Sequence, residues 1–183
     1  TSDHGYPDRS RGLVSDGWDL LKAGIPHDIL LTNDNINIPF LLYYPGVKPR
    51  KVKHLVSTED IVPTLMDLLQ INLPYEKKLP LFGKSLIPLI DKSKINNDSL
   101  AFFKNRVIRS DARFSLQKDR MTSLQKNNYH YIVKHDDGSE ELYDTNSDIK
   151  ERNNIASKFN NKDILHFFRV YFKRENLKIL NIQ

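Results

Sequence analysis

The 183-residue sequence contains no cysteine. That excludes disulfides and thiolate metal sites within this segment, and it leaves the redox compartment open. There is also no long apolar run. Ile38-Pro39-Phe40-Leu41-Leu42-Tyr43-Tyr44 is among the longest, and it falls far short of the roughly 20 residues that a membrane-spanning helix needs. A dense basic stripe is missing too. The net charge of +5 arises from 28 Lys/Arg against 23 Asp/Glu scattered along the chain, so nucleic acid is not the expected partner. No internal repeat and no secretory signal is visible within these residues, and the latter means little if the true N-terminus lies upstream. What is present is enough for a packed core: 39% of residues are hydrophobic and 28% charged, within the range of globular domains.

Residues 5–26 hold Gly5, Gly12, Gly17, Gly24, Pro7 and Pro26 with no sustained period, which reads as a long functional loop. A short helical turn is expected to follow His27 and end near Asn35. Ile38–Tyr44 reads as a buried strand stopped by Pro45-Gly46. Ser57 or Thr58 can cap a helix over Thr58–Gln70, since Glu59 and Asp60 suit its N-terminal dipole and Ile61, Leu65, Leu68 and Leu69 recur at helical spacing. Pro63 lies in the first turns, where a missing N–H costs little. Lys92–Ser99 is polar and marks a boundary. Beyond it Phe102–Ser110, Asp111–Gln117, Met121–Lys126 and Tyr129–Lys134 read as short strands, and Asp136-Asp137-Gly138 as a hairpin turn. An amphipathic helix over 162–173 closes the chain, with Ile164, Phe167, Phe168 and Tyr171 on one face.

The chemistry-bearing candidates begin at the first residues. Asp3 and His4 offer carboxylate oxygen and imidazole nitrogen, a donor pair that a hard or borderline divalent cation accepts. On an ideal strand adjacent side chains point to opposite faces, so both reach one ion only if the chain bends there, which Gly5 permits. A turn or helix cap is the competing use of the same residues. His27 can bind an anion or protonate a leaving oxygen, and Arg9, Arg11 and Lys22 in the same loop can hold an oxyanion. His54, His130, His135 and His166 lack partner spacing and read as structural or surface groups. Tyr143 and Asp144 sit in a turn after a strand, where packing and capping are the expected roles.

Five segments taken in order resemble sulfatases of the alkaline phosphatase superfamily. They are Thr1-Ser2-Asp3-His4-Gly5; His27 followed by Ile38–Gly46; Val56-Ser57-Thr58-Glu59-Asp60-Ile61-Val62-Pro63-Thr64-Leu65; Gly83-Lys84-Ser85-Leu86-Ile87-Pro88-Leu89; and Glu141-Leu142-Tyr143-Asp144 leading to Asp148-Ile149-Lys150-Glu151-Arg152-Asn153-Asn154-Ile155-Ala156. The resemblance implies an α/β, alkaline-phosphatase-like sheet, here only its C-terminal part over residues 1–100. A small antiparallel β-sheet plus helix subdomain is implied over 101–183. It further implies a metal-dependent sulfuric ester hydrolase in the complete polypeptide, with Asp3 and His4 as metal ligands and His27 as a catalytic or sulfate-binding residue. Arg9, Arg11 and Lys22 would be substrate contacts. The implied cofactors are a divalent metal, calcium first, and a formylglycine nucleophile.

No Cys- or Ser-x-Pro-x-Arg motif occurs in these residues, so the nucleophile is expected on a missing N-terminal portion of the same polypeptide. This segment by itself is then expected to hydrolyse no sulfate ester. The implied partners are that portion and a small-molecule or glycan sulfate ester; neither nucleic acid nor a transmembrane segment is expected. Asp-His in place of the Asp-Asn of many sulfatases also occurs in relatives that cleave or transfer phosphate groups with Mn or Zn. A phosphoester hydrolase or phosphotransferase is therefore one alternative, and a non-catalytic interaction module is another. Members are often exported, but the compartment is not legible here.

Overall fold

The computed structural model describes residues 1–5, 30–72, 83–113 and 120–180. The chain divides into two compact units: Thr1–Leu41 with Arg109–Gln183, and Leu42–Ile108.

In the first unit, four antiparallel-ordered strands make a sheet with spatial order β1-β2-β3-β4: β1 Ile108–Arg113, β2 Arg120–Lys126, β3 Tyr129–Lys134 and β4 Glu140–Asp144. β2 and β3 pair antiparallel with Leu124 opposite Tyr131, and β3 and β4 with Tyr131 opposite Leu142. Two tight turns enforce this register. Asn127 takes the left-handed conformation at φ +54°, which asparagine tolerates, and Gly138 does so at φ +69°. The row Leu124–Tyr131–Leu142 is withdrawn from solvent, and the Tyr131 ring stacks on Phe168 with centroids 5.4 Å apart. Phe168 belongs to a long terminal helix, Lys162–Leu180, which extends past the expected 162–173. Polar groups fasten it to the sheet. Glu140 accepts from Tyr131 Oη (2.5 Å) and Arg169 Nε (2.9 Å), and Arg109 Nη1 donates to Asn176 (3.0 Å).

The neighbouring row, Gln125–His130–Tyr143, points its side chains to the opposite face because strand residues alternate. That face carries His130 and Glu151, both fully buried. A single helical turn, α1 (Asn33–Ile36), is bound to it: Asn33 N–H donates to Glu151 Oε2 (2.9 Å) and Asn33 Nδ2 to the Ile149 carbonyl (3.1 Å).

The second unit is built around Asp60. Ser57 and Asp60 form a capping box at the start of a 3-10 turn, Thr58–Asp60, that runs into α2 (Ile61–Leu68). The Asp60 carboxylate accepts from Ser57 N (2.8 Å), Lys84 N (2.8 Å) and both Arg106 terminal nitrogens (2.5 and 3.0 Å). Thr64 Oγ1 accepts from Leu86 N (2.9 Å), which anchors the short helix α3 (Ile87–Ile90). Helix α4 (Asn97–Asn105) follows, with Asn96 capping it through Ser99 N (2.7 Å); the terminal helix Lys162–Leu180 is then α5.

Three expectations are corrected. Residues 38–44 are not a buried strand: they carry no strand assignment, and Leu41 and Tyr43 are 80% and 91% exposed. A strand exists only where its N–H and C=O groups find a ladder, and among the described residues none pairs with this segment. Phe102–Asn105 is helical, not extended, because the Asn96 cap and Asp98 in the first turn start a helix there. Helix α2 buries Thr64 and half-buries Ile61 and Leu68, but Leu65 and the C-cap Leu69 are exposed, so the expected apolar stripe is only partly covered within this unit.

Candidate functional site

Gly5 sits where the chain crosses α1. Its N–H donates to the Asn35 carbonyl (2.6 Å). A Cβ at this position would overlap the Asp34 carbonyl oxygen and stand 3.0 Å from the Asp34 carbonyl carbon and 3.1 Å from Asn35 Cα. Only glycine allows this backbone-on-backbone approach, and it explains the residue through space rather than through an unusual φ.

The bend brings Asp3 and His4 to one side. His4 N–H donates to Asp3 Oδ1 (3.0 Å), while Asp3 Oδ2 lies 3.8 Å from His4 Nε2. His4 Nδ1 is 2.6 Å from the Gly5 carbonyl. A carbonyl only accepts, so that contact selects the tautomer protonated on Nδ1 and makes Nε2 the lone-pair nitrogen, the arrangement in which imidazoles bind metals. The carboxylate is open to solvent and the imidazole partly covered. Two donors 3.8 Å apart are within reach of one ion at the roughly 2.0–2.6 Å typical of Zn²⁺ or Ca²⁺. The corner therefore fits two ligands of a divalent-cation site. It is not a complete site: no group of three or more His, Cys, Asp or Glu side chains is assembled among the described residues.

The remaining candidates, His27, Lys22, Arg9 and Arg11, lie outside the described residues. Two of the other histidines serve packing. His54 sits edge-on to Phe103. His135 meets Thr122 Oγ1 (2.9 Å) and the edge of Phe172; its pKa is lowered by burial first and by Arg120 next. Asp144 accepts from Asn128 Nδ2 (2.7 Å) and Asn146 N (3.1 Å), a capping role. Those bonds, with the Asn128 amide leading, hold its carboxyl below the ordinary range. Sequence reasoning placed Glu151 in the last of the sulfatase-like segments but gave it no role. Its burial against His130 depends on a residue 21 positions away, and no local pattern announces it.

The family described as "N-sulphoglucosamine sulphohydrolase, C-terminal" matches residues 27–176. The chain belongs to the sulfatases. Human arylsulfatase K is 32% identical over 126 residues, an alignment covering 67% of this chain and 23% of that protein. The Delta 4,5-hexuronate-2-O-sulfatase of Bacteroides thetaiotaomicron is 34% identical over 127 residues, 66% of this chain and 24% of the relative. Among solved structures, a 2-O GAG sulfatase superposes with a TM-score of 0.67 at 26% identity, covering 84% of this chain and 32% of that one. The alkaline-phosphatase-like sulfatase fold, in its C-terminal portion with the small antiparallel sheet and helix, is thus the architecture of this chain. The chain spans about a quarter of the length of the curated relatives it matches. Among the described residues no helix is long and apolar enough to cross a membrane.

Proposed function

We propose that the complete polypeptide is a metal-dependent sulfuric ester hydrolase to which this chain contributes two metal ligands, Asp3 and His4. The observation that carries the reading is the Asp3–His4 corner, with Nε2 turned toward Asp3 Oδ2 by the Gly5 carbonyl, in a chain belonging to the sulfatases. A divalent cation, for which calcium is the first candidate, would be held in part by Asp3 and His4 and would supply charge neutralisation at the sulfate oxygens. His27 is proposed to meet the leaving oxygen or the sulfate, and Arg9, Arg11 and Lys22 to bind anionic groups of the substrate. The nucleophile, a formylglycine, is proposed to lie on the N-terminal portion of the polypeptide. Within the second unit, the exposed Tyr43, Leu65 and Leu69 support cover by another part of the polypeptide or a protein partner, since apolar side chains gain most from cover. The substrate class is proposed to be a 2-O-sulfated sugar, supported by the names of two of the similar proteins.

The test is turnover by the full-length protein of 4-nitrophenyl sulfate and of an unsaturated 2-O-sulfated disaccharide, before and after chelation. Sulfate release that disappears with chelator and returns with Ca²⁺ is expected, together with its loss in Asp3→Ala and His4→Ala. The Asp-His pair also suits phosphoester chemistry, so 4-nitrophenyl phosphate is the competing substrate. Preferential phosphate release overturns the sulfatase reading.

A further inference from the structure

We infer that the buried His130–Glu151 pair is a positioning device for the Asp3–His4 corner, acting through α1. The inference rests on the proposal that Asp3 and His4 bind a divalent cation. The route is continuous. His130 Nδ1 hydrogen-bonds to one oxygen of the Glu151 carboxyl. The other oxygen accepts the Asn33 N–H at 2.9 Å, and Asn33 Nδ2 reaches the Ile149 carbonyl two residues before Glu151 at 3.1 Å. Asn33 opens α1, whose single turn is closed by Ile36 N to the Thr32 carbonyl (3.0 Å) and Asn37 N to the Asn33 carbonyl (2.9 Å). The Asn35 carbonyl then accepts from Gly5 N (2.6 Å), and the Gly5 carbonyl holds His4 Nδ1 (2.6 Å).

Three features separate this pair from ordinary core. Both side chains are withdrawn from water, an arrangement that well-packed apolar residues commonly match or exceed in stability. Glu151 holds its backbone in the left-handed region at φ +50°, an unfavourable conformation for a side chain of this kind unless the surroundings impose it. His130 Nε2 is buried with no hydrogen-bond partner among the described residues. A polar pair carrying these costs is accounted for by what it fixes. A four-residue helix has no stability of its own, so its placement follows from what grips its ends. Gly5 lies on α1 backbone against backbone, with Asn35 Cα 3.1 Å from where a Cβ would stand. No flexible side chain intervenes to absorb a shift, and a displaced α1 moves the Gly5 carbonyl that sets the His4 tautomer.

The test uses the full-length protein, with Ca²⁺ affinity by calorimetry after chelator stripping and thermal unfolding of the metal-free form. Asn33→Pro removes the N–H and the amide together. Proline suits the first helical position, and Thr32 before it already has φ −79° and ψ 156°, the region a pre-proline residue prefers. The expected result is a folded protein whose calcium affinity is roughly ten-fold weaker, the lower end of losses seen when groups supporting metal ligands are removed. Glu151→Ala should do the same, and Glu151→Gln, which keeps an acceptor for Asn33 N–H, should restore near-normal binding. Should Glu151→Ala fail to fold, Asn33→Pro carries the comparison alone. Normal calcium affinity in folded Asn33→Pro, alongside its loss in Asp3→Ala and His4→Ala, overturns the positioning role and leaves the metal site standing. Normal affinity in Asp3→Ala and His4→Ala overturns the metal reading itself.

Discussion

Replacing Gly5 by alanine in the full-length protein tests the corner at its tightest point. The added Cβ would overlap the Asp34 carbonyl oxygen, with the Asp34 carbonyl carbon at 3.0 Å and Asn35 Cα at 3.1 Å. Every one of these atoms is backbone, so relief comes only by moving one segment away from the other. Overpacking of this kind costs about 1–3 kcal/mol. The separation also breaks the Gly5 N–H bond to Asn35, worth about 0.5–1.5 kcal/mol net. The native arrangement of the corner is thereby disfavoured by about 1.5–4.5 kcal/mol, or roughly one to three decades in population. A displacement on the order of 1 Å near the reacting centre lowers rates by roughly a hundred-fold. The expected result is therefore a kcat/KM on 4-nitrophenyl sulfate at least about a hundred-fold below wild type, with weakened Ca²⁺ binding and a lowered Tm in metal-free protein. Gly5→Ala with wild-type kinetics and wild-type Tm would refute both the close approach and its link to the metal corner.

Two further predictions concern the frame. Asp60→Ala removes the acceptor for Ser57 N, Lys84 N and Arg106 and leaves the guanidinium, 7% exposed, buried without its counter-charge. A loss of about 3–5 kcal/mol is expected in denaturant unfolding, and a loss under about 1 kcal/mol, the range of exposed pairs, would refute that role. Arg169, through its hydrogen bonds, holds the Glu140 pKa below its ordinary value of 4.5, against the opposing pull of burial. A depressed carboxyl stabilises the fold above the unfolded-state pKa and loses that contribution as pH falls through the lowered value. Protection factors along α5, taken against the intrinsic exchange rate at each pH, should therefore fall on acidification through and below pH 4.5, and Arg169→Gln should shrink that response; an unchanged acid profile in the variant counts against the clamp.

Local chemistry in the sequence announced those elements that local chemistry builds. Ser57, one of the two expected caps, forms a capping box with Asp60, and Gly138 supplies the positive φ its hairpin needs. β2 and β3 fall where alternation and turn residues put them, whereas Tyr143 and Asp144, read as part of a turn after a strand, lie within β4 itself. The same reasoning misread Ile38–Tyr44, because hydrophobicity states a preference for burial and says nothing of which ladder will satisfy the backbone. It misread Phe102–Asn105 because the aromatic residues outweighed Asn96, which is a helix cap and not just polar boundary. At the candidate site, residue types made Asp3 and His4 visible. Ideal strand alternation sent them to opposite faces, and the bend that reunites them depends on α1 lying against Gly5.

Glu151 marks the deeper limit of such reading. Its partners are His130, 21 positions away, and Asn33, 118 positions away, so its meaning exists only once the chain has closed. Compactness groups Thr1–Leu41 with Arg109–Gln183 and sets Leu42–Ile108 apart. The terminal sheet is therefore neighbour to the Asp3–His4 corner although most of the chain separates them in sequence. That placement gives the small sheet a mechanical use. Its α5-facing row is closed by Phe168 and the Glu140–Arg169 clamp, which leaves the opposite face rigid enough to carry a load. On that face the polar pair His130–Glu151 meets the one turn of helix on which Gly5 rests. A directional hydrogen bond fixes the register of that turn, whereas an apolar contact of equal area would leave it free to slide. For Asp3 and His4 in the proposed role, as two ligands at one separation from a single ion, register is the property that matters.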